Sequence, residues 1–170
     1  MGLERITQSS FEIAQLLAKN NQIQKLLYVD LDNVGDAVSE NIPVQPNWYL
    51  ENSYIQVETP IEYAIENETK NTSIYIRLDD LSFHMADDNV AAWGFIDIVT
   101  NEDHVLLTKN RSRLLELLKL VVQTLDGKKL SASGEVQISS ASFSVYSPSV
   151  FGWRIRFSLR ETLGKRQAEI

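Results

Sequence analysis

The chain has no cysteine among its 170 residues. That absence excludes disulfides, a thiolate nucleophile and cysteine-based zinc sites in one step. Histidine is nearly as scarce, with only His84 and His104. Neither lies in an HxH, HExxH or GxSxG setting, so the short-spacing routes to a zinc site or a nucleophile elbow are missing. Walker A and GxGxxG patterns are missing too. No apolar run approaches the ~20 residues of a membrane span. The opening MGLERITQSS lacks the charged-then-apolar order of a signal peptide. Ile6 stands where N-myristoylation wants Ser or Thr. With no signal and no cysteine, synthesis in the cytoplasm is expected.

The length is a soft prior for one domain with a proper core, since a chain near 150 residues buries roughly 70% of its unfolded surface. The net charge is −7, which argues against wrapping free nucleic acid. It is also uneven. Residues 1–85 hold 5 Lys/Arg against 13 Asp/Glu, and residues 86–170 hold 11 against 10. A head-to-tail assembly can use such a dipole, and solvated charge can scatter this way by chance.

What is present begins with residues 111–125, RSRLLELLKLVVQTL. Leu114, Leu115, Leu117, Leu118, Val121, Val122 and Leu125 recur at three- and four-residue steps, the period of an amphipathic helix. Asn110 or Ser112 can cap its start, and Gly127 suits the left-handed residue past its end. Its apolar face is expected to lie on the strand 151–159. Residues 7–28 also carry helical periodicity, in one piece or in two, since Asn20-Asn21 weakens the middle; Thr7, Ser9 or Ser10 can cap the start, and Glu12 can complete a capping box with Ser9. Residues 30–53 have no clear period, and Pro43 and Pro46 break them, so they are expected as an extended arm.

Short strands are expected at residues 54–57 and 61–65, around Thr59-Pro60. Residues 73–78 alternate cleanly and residues 81–89 form a polar loop. Residues 90–100 form a strand with a bulge at Gly94, and residues 105–107 follow a turn. After Gly127 two strands are expected around Val136/Ile138 and Phe143/Val145. Residues 151–159, FGWRIRFSL, alternate apolar with polar most strictly of all. The expected fold class is therefore α+β. It has a mostly antiparallel sheet flanked by an N-terminal helix and one central amphipathic helix. The expected organisation is one domain over residues 1–170: helix 1–29, arm 30–53, sheet plus helix 54–162, and loose tail 163–170.

Candidate sites divide between chemistry and contact. Asp30, Asp32 and Gly35 match the start of a calcium loop, but Val34 and Asn41 fail its fifth and twelfth positions, which leaves a solvated turn. Asp79-Asp80 and Asp87-Asp88 flank His84 and read as surface loop. No catalytic, metal or cofactor residues are assigned, and no enzyme activity is expected. Arg154, Arg156 and Arg160 share one face of one strand by alternation, and the guanidinium fork suits carboxylates. They are either a solvent-facing row with cross-strand acids or an interface. Trp48 and Tyr49 are either core or contact aromatics. Asp30, Asp32 and Asp36 join them as candidate interface residues.

These features in combination resemble the tail terminator family of long-tailed double-stranded DNA phages, also called tail completion or neck proteins. The likeness covers about residues 8–162. It lies in the helix closing on Gln24-Lys25-Leu26-Leu27-Tyr28, the polar Pro-containing stretch after it, and Trp93 in its strand. It extends to the helix ending Leu-Asp-Gly and the closing strand Phe151-Gly152-Trp153-Arg154-Ile155-Arg156-Phe157. The acidic tract 30–40 and residues 164–170 have no match. The resemblance implies a virion protein that forms a hexameric ring at the head-proximal end of the tail tube. Such a ring stops tube growth and docks the head connector or stopper. DNA passes through the lumen without specific binding, and no cofactor or membrane is involved. A stopper, adaptor or tube subunit is the near alternative. A small α+β module binding an anion through its Arg-bearing strand is the distant one.

Overall fold

The computed structural model describes residues 3–28, 42–59, 72–84, 89–102, 106–107, 111–131 and 134–160. Among them the fold is mixed α+β, with four helices and a six-stranded, mostly antiparallel sheet. The helical stretch 7–28 divides at Asn20, as its weakened middle allowed, into α1 (Leu3–Ala18) and α2 (Asn21–Leu27). Asn20 is the reason. Its side chain accepts hydrogen bonds from the amides of Gln22 and Ile23, so it caps a new helix rather than weakening an old one. Ser9 is not the N-cap of α1, because it lies buried in the helix interior. Glu12 instead accepts from the amide and hydroxyl of Ser131.

The stretch expected as an arm contains a third helix, α3 (Pro46–Glu51). Pro46 was read as a breaker, but it sits in the first turn, where a missing N–H costs nothing and the fixed φ helps. Tyr49 then points into the core, fully buried, and its hydroxyl donates to the Pro43 carbonyl. Residues 30–41 and 60–71 lie outside the described residues, and with them the acidic positions and the expected strand 61–65.

The strands are β1 (Ile55–Val57), β2 (Ser73–His84), β3 (Asn89–Asn101), β4 (Leu106–Leu107), β5 (Arg111–Ser112), β6 (Lys129–Leu130), β7 (Gly134–Ser147) and β8 (Val150–Arg160). The large sheet runs β1-β2-β3-β8-β7-β6, while β4 and β5 form a small ribbon. Among the described strands only the β1–β2 pair is parallel. The expected loop at 81–89 is replaced at both ends by strand: β2 runs to His84 and β3 starts at Asn89. The two strands expected after Gly127 are one, β7, interrupted only by bulges between Ile138 and Ser140 and between Val145 and Ser147. The expected bulge at Gly94 lies across the ladder instead, on β2 between Leu78 and Asp80. Glu58 braces that bulge, its carboxylate accepting from the Leu78 amide and the Ser10 hydroxyl.

Gly94 answers a different need. A Cβ there would overlap the Arg77 carbonyl oxygen and come within 2.6 Å of the Phe157 ring. Only a bare Cα lets Phe157 cross from β8 over β3.

The helix α4 (Arg113–Leu125) begins at Ser112, whose hydroxyl accepts from the Leu115 amide, and Gly127 follows with φ +73°. It was expected on β8. It packs on β3 and β7 as well as β8, and against α1 and α2. Burying Leu114, Leu117, Val121 and Leu125 stabilises by roughly 2 kcal/mol each, well above the differences in helix propensity. Packing therefore holds α4 in place. The core is the layer between the helices and the near sheet face, with the row Ile76–Ile96–Ile155 at its centre. The opposite face alternates with it by the two-residue period of the strands.

Candidate functional site

The sheet face opposite the described helices is built by register. One cross-strand row runs Tyr75, Asp97, Arg154, Ser142, and the next runs Arg77, Phe95, Arg156, Ser140. Alternation therefore brings Arg77 of β2 beside Arg154 and Arg156 of β8, with the aromatic residues of β3 between them.

Arg154 does not stand as a bare charge. Its Nε donates to Asp97 Oδ1 at 2.7 Å and its terminal nitrogen to Oδ2 at 3.2 Å, a bidentate pair. The Tyr146 hydroxyl donates to the same Oδ1 at 2.7 Å. Asp97 has 1% of its side chain exposed and Arg154 30%. A buried carboxylate is tolerable only with such partners, because desolvation costs several kcal/mol per ion, of order 5. Tyr146 reaches it because its ring lies over Gly152, where a Cβ would meet the ring at 2.8 Å. Burial first, and then the charge of Asp97, raise the Tyr146 pKa above the usual phenol value, with Arg154 partly opposing.

Arg156 lies over the Trp93 ring at 4.8 Å, and Arg154 and Arg77 lie over Phe95 at 5.1 and 5.6 Å. Such stacking holds a guanidinium flat while leaving its edges open to a carboxylate or phosphate. Among the described residues no carboxylate lies within ion-pair distance of Arg77 or Arg156. The Arg77 Nε is buried and makes no hydrogen bond.

The sequence placed Arg154 and Arg156 on one face, and the structure sets them there with different surroundings: one neutralised, one stacked and exposed. Arg160 ends β8 opposite Ala91 and Glu135, and its side chain lies outside the described residues. Trp48 and Tyr49 are not together with the arginines. They belong to an aromatic cluster with Tyr28 and Tyr54, where Trp48 stacks on Tyr54 at 5.3 Å. Burial pushes the Tyr49 pKa up to about 12. Asp30, Asp32 and Asp36 lie outside the described residues.

Asp97, Tyr146 and Arg77 were missed by sequence reasoning. The available signal was Asp97 between Ile96 and Ile98, an acid at the wet phase of a strand. Its partner could be found only once β3 and β8 were known to be neighbours. Among the described residues no group of three or more His, Asp or Glu could hold a metal ion, and no helix is long and apolar enough to cross a membrane. No protein-family model matches the chain, and no curated protein matches it either.

Proposed function

We propose that this chain is the ring-forming subunit that caps the head-proximal end of a phage tail tube. The observation that carries this is the two-layer asymmetry of the subunit. Among the described residues the helices lie on one face of the sheet, and the other carries stacked guanidiniums beside a small buried cluster of Tyr75, Val99 and Val150. A subunit of that kind closes into a ring by rotation when each copy makes the same heterologous contact with the next. The expectation drawn from the family resemblance supplies the rest. The sheet lies toward the lumen and the helices outside, with six copies and no catalytic step. The flanking N-terminal helix and the central amphipathic helix then form the outer layer.

In this arrangement one ring face copies the contacts of a tube subunit and binds the last tube ring. The other face lacks a further tube site, so growth stops there and the head connector docks instead. Pairing of Arg154 with Asp97 suits a DNA conduit, because each neutralised guanidinium is one fewer to grip passing phosphates. Negative-stain electron microscopy of the purified protein, alone and mixed with tail tubes, tests the proposal. Single rings, or caps on one end of each tube, are expected. Open-ended polymers would reassign the chain as a tube subunit. Particles that stay monomeric and leave tube ends bare would refute the proposal.

A further inference from the structure

The longest uncharged stretch of the chain lies in one hairpin. Residues 136–153, from the body of β7 through the turn into β8, contain no Asp, Glu, Lys, Arg or His, in a chain that is 23% charged. Those residues form the outer region of the sheet. β7 pairs with β8 along its length on one side, but with β6 only at Gly134 and Glu135. Further on, Val136 is bonded to Lys128 and Gly127, and the Ile138 amide donates to Asp126 Oδ1. Among the described residues nothing pairs with the outer edge of β7 after that point.

A free edge of this length is a template for another strand. Folded proteins usually guard such edges with lysine, proline or an inward charge. From Ser139 to Val145 none of these is present. The side chains at the edge are also unusual. Phe143 and Val145 are 53% and 64% exposed and stand on the same side as Leu115 of α4, which is 53% exposed. Phe143 and Leu115, together with Leu114, Phe151 and Trp153, line an open apolar groove of about 360 Å³.

We infer that the β7 edge and this groove are the contact surface for a second copy of the same chain, which adds a strand along β7. Charge selects that occupant. Two copies each carrying −7 repel unless they meet where neither bears charge, and this hairpin is such a zone. A basic partner would be drawn to the acidic residues elsewhere. The added strand takes up the outward amides and carbonyls of β7, and apolar side chains of the second copy fill the groove. The contact presupposes the self-assembling subunit proposed above and names which of its surfaces joins.

The test is light scattering and native mass spectrometry of the full chain across a concentration series. It compares the wild type with Phe143→Lys/Val145→Lys and, on a separate element, Leu115→Glu. Circular dichroism and melting temperature check that each exposed change leaves the fold intact. Hydrogen exchange of the β7 amides that point away from β8 gives a second readout in the wild type alone. Concentration-dependent assembly is expected in the wild type, with those amides protected only in the assembled form. Association should weaken by more than about tenfold in both variants. Assembly that is equally strong in the variants would overturn the β7 contact while leaving the ring-subunit proposal standing. A wild type that stays monomeric at every concentration, with unprotected edge amides, would also overturn it. The tail-tube experiment alone would then decide the ring-subunit proposal.

Discussion

Asp97 shows how much a single side chain can organise. It is nearly sealed from water, yet three donors reach it from two residues of other strands, Arg154 and Tyr146. Removing it takes the bidentate partner from a guanidinium and the acceptor from a hydroxyl in a partly dry site. Asp97→Ala is therefore expected to lose about 3 kcal/mol in urea denaturation, with part regained when Arg154→Leu is added, since the half-buried charge is then removed with its partner. The phenols give a pH signature. The folded-state pKa of Tyr146 lies above its unfolded value, as do those of Tyr49, Tyr54 and Tyr75. A group raised in this way contributes stability that is complete below its unfolded pKa, roughly 10, and is lost as pH rises through the folded value. Stability should thus be level up to about pH 9 and fall beyond 10. Tyr146→Phe should make that fall shallower, as followed by denaturation at pH 8, 9.5 and 11. An alkaline limb as steep in the variant as in the wild type would remove Tyr146 from the account.

At the scale of elements, alternation and helical period made the long pieces legible. The strand β8, the strand β3 and the body of α4 could each be read from residues alone, because one face of each is buried and the period is sustained. The pieces lost to reading were those decided by contacts distant in sequence. Asn20 looked like a weak point and is a cap. Pro46 looked like a break and starts α3. β7 looked like two strands, because its apolar positions shift across the bulge at Ser139 and serine fills the interval. Gly94 was read as a bulge, yet it is required because Phe157 crosses it. Gly94→Ala should therefore cost at least about 2 kcal/mol through overpacking between two backbones. Gly127→Ala, with open space around it and only a positive φ to strain, should cost about 1 kcal/mol. Equal losses in chemical denaturation would mean that the Gly94 contact is relieved by a shift of β8.

At the scale of the whole molecule, fold class was the most legible property, and the site the least. Helices and hairpin-linked strands in this order point to α+β, and the sheet is mostly antiparallel. The site required knowing which strands are neighbours. The arginines could be placed on one face from β8 alone, but only the β2-β3-β8 order puts Arg77 and the aromatic rings with them. The uncharged stretch 136–153 was visible as composition, and it became a surface only when β7 proved to be an edge. The helix-covered face, the guanidinium-bearing face and the neutral β7 edge are the three features on which the proposed ring subunit rests. The most direct measurement of that claim is an image of the purified chain with and without tail tubes. Closed single rings, seated on one end of each tube, are the outcome expected here. Isolated monomers beside tubes with bare ends would contradict it.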